Sequence, residues 1–336
     1  MTVVGPFGLS VRDQALEADV QAGLAAVEEG LLEATKSEVP FITEAAQHLV
    51  RAGGKRFRPL LVMLAAQFGD PYAPGVVPSA VVVELTHLAT LYHDDVMDEA
   101  AVRRGVESAN ARWGNSVAVL TGDFLFARAS HILADLGPEA VRVQAEAFER
   151  LVTGQILETA GPQDGRDPVE HYLDVLSGKT GSLVAVSCRF GAMMSGADET
   201  VVDVLTQYGE RLGVAFQLAD DVLDIASDSH ESGKTPGTDL REGIPTLPVL
   251  RLRERAERLG LAEDAALCEL LDSDLSDDAR HAEALAALRV HPALEQARRD
   301  TVRYAEDARA ALAPLADIGA KAALMELCDA VVHRAG

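Results

Sequence analysis

Aromatic side chains occupy only 4% of the 336 positions, with a single tryptophan. Alternating β-branched runs closed by hairpin turns are nearly absent as well, which argues against sandwiches and barrels. Cysteine is scarce: Cys188, Cys268 and Cys328 lie far apart with no CxxC pair. Neither a disulfide framework nor a thiolate zinc site fits that spacing, and a reducing cytosol does. Cations are few, with 30 Lys and Arg against 53 Asp and Glu, a formal charge of −23. So acidic a surface repels phosphate backbones and anionic lipid, so neither nucleic acid nor stable membrane insertion is expected. No apolar run is read as approaching the ~18 residues of a membrane span. The first thirty residues carry Asp13, Glu17 and Asp19 in place of a basic-then-apolar leader. The expectation is an acidic, globular, cytoplasmic protein.

What is present is helical periodicity. Residues 14–35 place Leu16, Val20, Leu24, Val27 and Leu31 at three- and four-residue steps with acids between them. Segments 138–160, 200–226 and 295–313 repeat the style. The breaks at 53–59, 69–75, 161–168 and 227–239 are short and dense in Gly, Pro, Asp or Ser, as helix-to-helix connections are. No repeat of 20–50 residues points to a solenoid. The pattern predicts one all-α domain, residues 1–336, of roughly ten helices. Segment 78–98 differs from the rest. Val81, Val82, Val83, Leu85, Leu88, Ala89 and Leu91 cover nearly every side of it, which is the mark of a helix buried at the centre of a fold. Yet it finishes with His93, Asp94, Asp95 and Asp98, and carboxylates ending a buried helix need a reason.

Asp94 and Asp98 share one helical face, where they repel unless a cation sits between them. The pattern recurs at Asp220, Asp221 and Asp224, again after an apolar stretch, LGVAFQLA. Oxygen-only donors favour a hard cation, Mg²⁺ before Ca²⁺ or Zn²⁺. An EF-hand is excluded, because DDVMDEAAVRRG lacks Gly at its sixth position and Glu at its twelfth. The scarce cations cluster: Arg51, Lys55, Arg56 and Arg58 lie within eight acid-free residues, and Arg103-Arg104-Gly105 follows the first aspartate motif. Beside metal-holding carboxylates they read as diphosphate clamps, since Arg offers phosphate a bidentate fork and Gly53-Gly54 allows close backbone approach. Nucleotide folds are dismissed. The first glycine of a P-loop ending at Gly178-Lys179-Thr180 is missing at Leu173, that of one ending at Gly233-Lys234-Thr235 is missing at Asp228, and no GxGxxG follows a strand.

Taken in order, Gly53-Gly54-Lys55-Arg56-Phe57-Arg58-Pro59, His87, DDVMD at 94–98, Arg103-Arg104-Gly105, Lys179-Thr180, Phe216-Gln217, DDVLD at 220–224 and Gly233-Lys234 closely resemble the trans-isoprenyl diphosphate synthases of the polyprenyl synthetase family, across about residues 50–250. The resemblance implies an all-α bundle of the isoprenoid synthase type around a deep central cavity, assembled as a homodimer. It implies condensation of isopentenyl diphosphate with an allylic diphosphate, with two or three Mg²⁺ ions on Asp94, Asp98 and Asp220, supported by Asp95, Asp221 and Asp224. Arg103, Lys179 and Lys234 would hold the allylic diphosphate. Lys55, Arg58, His87 and Arg104 would hold isopentenyl diphosphate, with Arg56 a weaker candidate. Thr180 and Gln217 would turn neutral dipoles toward the transient carbocation, alongside Lys179 as catalytic residues. One departure is Ile244, at the place in GIPTLP where many relatives carry Lys.

Product length in this family follows the bulk beneath the first aspartate motif. Relatives that stop at three units carry an aromatic residue where this chain has Ala89 or Thr90, and Thr86 lies a turn deeper. The 16 residues from Pro78 to Asp94 span ~24 Å of helix, so small residues there predict a product of about six to ten isoprene units. Phe126 and Phe148 are candidates for the floor. The alternatives are a shorter-chain synthase, a terpene cyclase, which needs no second diphosphate site, or a non-catalytic partner subunit, which would have lost part of the motifs. The last 85 residues, 252–336, carry no recognisable chemistry and are expected to complete the bundle.

Overall fold

The computed structural model describes residues 13–163, 165–227 and 236–335, with two short strand pieces ahead of them. Strands β1 (Val3–Val4) and β2 (Leu9–Ser10) form a small antiparallel pair. The helices that follow are α1 (Gln14–Ala34), α2 (Pro40–Arg51), α3 (Phe57–Ala66) and α4 (Val76–Met97). A hairpin, β3 (Val102–Arg103) and β4 (Val106–Glu107), precedes α5 (Ala109–Trp113), α6 (Asn115–Leu136), α7 (Pro138–Ala160) and α8 (Pro168–Leu176). A π-helical turn, Ser177–Gly181, leads into α9 (Ser182–Met194) and α10 (Glu199–Ala226). The remainder is α11 (Thr238–Arg241), α12 (Leu247–Leu259), α13 (Ala262–Leu271), α14 (Asp278–Arg289), α15 (Pro292–Ala311) and α16 (Gly319–Ala335). The all-α class stands, with more helical segments than the roughly ten expected.

Contacts divide the chain into two compact units. The first comprises Met1–Glu149, Ser182–Gly209 and Ala311–Leu327; the second comprises Arg150–Gly181, Glu210–Ala310 and Cys328–Gly336. In the first unit α4 is the axis, packed by α1, α3, α6 and α9. Its Val82, Val83, Leu85, Leu88, Ala89 and Tyr92 are wholly buried, as all-round apolarity requires. Each large side chain of this kind contributes about 1.5–3 kcal/mol when removed from water. The Tyr92 hydroxyl donates to the Ala45 carbonyl at 2.6 Å and ties α2 to this axis. Where α4 meets α6, Gly122 leaves no room for a side chain: a Cβ there would lie 2.3 Å from His93 Nε2 and 3.1 Å from the Ala89 carbonyl. The second unit holds the rest of α7 and α10, with α8, the π turn and α11–α15.

Two sequence expectations change. Residues 57–59, read as part of a loop, begin α3, because Arg56 takes a left-handed conformation (φ 47°) that ends the loop three residues earlier. And α6 does supply a stretch long and apolar enough to cross a membrane by length and composition alone, with mean hydropathy 1.3 over its window and a third of it buried. Its charges, Asp123, Arg128 and Asp135, are too few to interrupt that window, though they break the run to the eye.

Candidate active site

In the first unit the last turn of α4 carries Asp94 and Asp95, and Asp98 caps it through its own N–H to the Asp94 carbonyl at 2.8 Å. Asp95 points inward and is fully buried. One of its oxygens accepts from Arg103 Nε at 2.5 Å, and the other is buried with no hydrogen-bond partner. Burial raises the Asp95 pKa, and the Arg103 bond opposes that rise. Asp98 is exposed, 4.0 Å from Arg103 Nη2.

The Arg-Arg-Gly segment owes its place to a turn. Val102 pairs with Glu107 and Arg103 with Val106, so Arg104 and Gly105 form a two-residue hairpin loop. Both have positive φ, 52° and 77°, as a type I′ turn requires. Arg103 thereby faces Asp95, while Arg104 reaches the end of α2 and the loop before α3, donating to the Leu49 carbonyl at 3.0 Å and to the Gly53 carbonyl. Gly54, at φ 144°, makes space for it, since a Cβ would lie 2.8 Å from the guanidinium carbon.

The centre of this basic cluster is an acid that sequence reasoning missed. Glu84, almost wholly buried on α4, sits 3.0 Å from Arg56 Nη1 and 3.6 Å from Arg104 Nη2. Arg56 is saturated: it also bonds Glu28 and donates to the Gly53 carbonyl at 3.2 Å and the Val50 carbonyl at 3.0 Å. It is a brace for the loop. Arg58, with a buried and unpartnered Nε, keeps its charge less firmly; burial lowers its pKa to about 10, Glu84 opposing and Arg104 reinforcing. His87, half-buried near these groups, is held neutral well below its ordinary value by burial and then by Arg58, Arg104, Arg103 and Arg56. Lys55 is exposed at the loop's edge. The signal for Glu84 was present: a single acid three residues before His87, in the apolar stretch of α4 that precedes the aspartates.

In the second unit Asp220, Asp221 and Asp224 end α10. Asp221 is buried; one oxygen accepts from Gln217 Nε2 at 3.3 Å and the other has no hydrogen-bond partner. Burial, then Asp239, Asp224 and Glu158, push its pKa well above the carboxylate range. Asp224 accepts the Thr238 and Asp239 N–H groups, each at 3.2 Å, and so caps α11. Lys179 and Thr180 lie on the π turn, whose base is pinned by Ser177 and Arg150 on Glu210, at 2.6 and 2.9 Å. Lys179 Nζ meets Glu158 at 2.6 Å, an acid the sequence reading also passed over. Lys234 lies outside the described residues. Ile244 is exposed just before α12.

Each aspartate motif offers carboxylate oxygen, with Asp95 and Asp221 each keeping one unbonded buried oxygen. Among the described residues no group of three His, Cys, Asp or Glu could hold a metal ion unaided. That donor set fits a hard cation completing its shell with water and phosphate oxygens.

Beneath the first motif lies a cavity of about 420 Å³, walled by α4, α6 and α7. Thr86 and His93 line it; Ala89 is wholly buried against α6, and the Thr90 hydroxyl turns back to the His87 carbonyl at 2.8 Å. Phe126 and Phe148 meet at an interplanar angle of 55° with centroids 4.5 Å apart, Phe126 standing 5.8 Å from His93. These two rings therefore wall the upper end; Leu133 and Val141 lie deeper along their helices.

A profile of the polyprenyl synthetase family matches residues 39–288. Nonaprenyl diphosphate synthase of Mycobacterium tuberculosis is 48% identical over 331 residues, covering 98% of this chain and 97% of that protein. The crystal structure of geranylgeranyl pyrophosphate synthase from Corynebacterium glutamicum, complexed with calcium and isoprenyl diphosphate, is similar with a TM-score of 0.87 and 44% identity, over 97% of this chain and 99% of that one. A decaprenyl diphosphate synthase from Rhodobacter capsulatus gives 0.86 and 36% identity over 96% and 99%.

Proposed function

Since the chain belongs to the polyprenyl synthetase family, we propose that it is a long-chain member, extending an allylic diphosphate with isopentenyl diphosphate to about six to ten isoprene units, all-trans, with Mg²⁺ as its cation. The observation that carries the length is the cavity under Asp94, walled on α4 by Thr86 and His93 with no aromatic residue on that helix face. The relatives' names span geranylgeranyl to decaprenyl products, so similarity alone leaves length to that cavity.

Breaking the allylic C–O bond leaves a carbocation and a diphosphate of about three negative charges, which must be met by fixed positive charge as it develops. Magnesium held by Asp94, Asp98 and Asp220 would neutralise part of that charge. By the family resemblance Arg103, oriented by Asp95, would add positive charge to that diphosphate, and so would Lys179, oriented by Glu158, and Lys234. At an effective dielectric of about 20, one such pair at ~4 Å is worth ~4 kcal/mol. Lys55, Arg58 and Arg104 hold the diphosphate of isopentenyl diphosphate, and neutral His87 donates to it without adding charge. Thr180 and Gln217 present dipoles to the cation, and the departing diphosphate takes the proton that ends the cycle. A homodimer belongs to the same reading, supported by Val119 and Leu120 (66% exposed) on α6.

The test incubates purified protein with Mg²⁺, labelled isopentenyl diphosphate and, separately, dimethylallyl, geranyl and farnesyl primers. Products longer than four units are expected. A stop at three or four would make it a short-chain synthase, and no extension by folded protein would favour a partner subunit.

A further inference from the structure

The cavity beneath the first aspartate motif contains two polar contacts between helices, His93 to Asp123 at 3.5 Å and, two turns earlier along α4, a second one. Gln144 on α7 donates from Nε2 to Thr86 Oγ1 on α4 at 2.9 Å. The Thr86 hydroxyl in turn donates to the Val82 carbonyl at 2.9 Å, so its proton is spent. Both residues line the cavity, and they are only 1% and 7% exposed. The Gln144 carbonyl oxygen, Oε1, is buried and has no hydrogen-bond partner. Around the pair the wall is mostly hydrocarbon, from Phe126, Ala129, Leu133, Val141, Ala145 and Phe148, with Ser130, His93 and Asp123 as its other polar side chains.

Position along the cavity gives the pair its meaning. Thr86 lies seven residues before His93, about 10 Å of helix. On α7, Gln144 falls between Phe148, which lies against Phe126 near His93, and Val141, which lines the cavity further from His93 and is partly open to solvent. The cross-link therefore stands part-way down, with cavity on both sides of it. An unsatisfied amide oxygen tolerates water but gains nothing from hydrocarbon, and a chain laid against it leaves it unpaired.

We infer that Gln144, held across the cavity by Thr86, is a specificity-determining residue: it marks the depth beyond which a growing prenyl chain is extended at a penalty. This rests on the chain-elongation reading above. The gate is polar and not steric, which separates it from bulk beneath the aspartates. Up to the pair, the polar wall groups His93 and Asp123 already face each other at 3.5 Å and the rest of the wall is mostly apolar. Past it, the chain covers the Gln144 amide, whose Oε1 is without a partner, and returns no hydrogen bond.

The variants are chosen to keep volume. Gln144→Leu removes the unsatisfied carbonyl and should raise the fraction of product longer than the wild-type maximum by about tenfold, the order one buried unpaired carbonyl imposes. Gln144→Met is the second choice should Leu fail to fold. Thr86→Val is isosteric yet orphans the Gln144 amide entirely, so it should shift product the other way, toward shorter chains. The double variant Thr86→Val/Gln144→Leu should again lengthen. Rates of the first condensation on a geranyl primer should stay within about twofold of wild type, because that chain ends above the pair. Unchanged product lengths in active, folded single variants would overturn the inference and leave the bond a brace between α4 and α7. If Thr86→Val and Gln144→Leu shifted length in the same direction, the polar gate would fail too. Absence of any elongation by the wild-type protein is a different result, since it removes the enzymatic reading before a variant is made.

Discussion

Glu84 concentrates more consequence than any other single side chain in the first unit. It neutralises Arg56, which is buried, and Arg104, which is only partly exposed, with Arg58 close by. Replacing it by Gln keeps the shape and removes the charge, so folded stability should fall by about 3 kcal/mol, measured by denaturant unfolding. The Michaelis constant for isopentenyl diphosphate should rise by about tenfold as Arg104 and Arg58 lose their common anchor, with kcat less affected. His87 yields a prediction of opposite character. In the folded chain it stays neutral well below 6.5, burial being the first cause and the neighbouring arginines the next. The unfolded chain takes up that proton as pH falls through about 6.5, so the contribution of this residue to stability is full above that pH and lost on acidification. Between about pH 7.5 and 5.5 the wild type should therefore lose more stability than His87→Gln, as thermal midpoints would record. Equal losses would place the imidazole in water.

At the scale of elements, two tight features aim the charged side chains. The hairpin of β3 and β4 turns through Arg104 and Gly105, and Gly105→Ala introduces a Cβ at φ 77°. It should cost about 1–2 kcal/mol and weaken binding of both diphosphates, because Arg103 and Arg104 leave the turn in different directions. The π turn of Ser177–Gly181 holds Lys179 and Thr180 by virtue of one residue more than an α-helix needs. Deleting Ser177 would restore regular helix, rotate both side chains by about 100° and abolish turnover while leaving the circular dichroism helical. How much of this was legible follows from range. Helices α1, α7, α10 and α15 could be read from three- and four-residue spacing because amphipathic periodicity is local. Both aspartate motifs were readable because carboxylates ending an apolar helix contradict their surroundings. Lys179's partner Glu158 and the Thr86–Gln144 bond were not readable, since they join residues 21 and 58 positions apart and their types are ordinary on a helix. The start of α3 was misplaced because Arg56 adopts a backbone conformation that sequence assigns to glycine.

For the molecule as a whole, the charge of −23 and the small basic islands are one arrangement. The islands hold most of the site's cations against buried acids, so their field is local and short-ranged, and moderate salt should weaken substrate binding less than it would at an exposed patch. The proposed homodimer, tested by light scattering, should give twice the chain mass, and Leu120→Glu should reduce it to one. Both faces of α6 are then in use, one toward a partner and one toward the cavity. That helix touches α4 at Gly122, where no side chain separates the two backbones. A measuring rod needs one end that does not move, and this contact supplies it. The cavity cannot widen beside His93, so every five-carbon addition is counted from the same origin, and any spread in product should be confined to its far end.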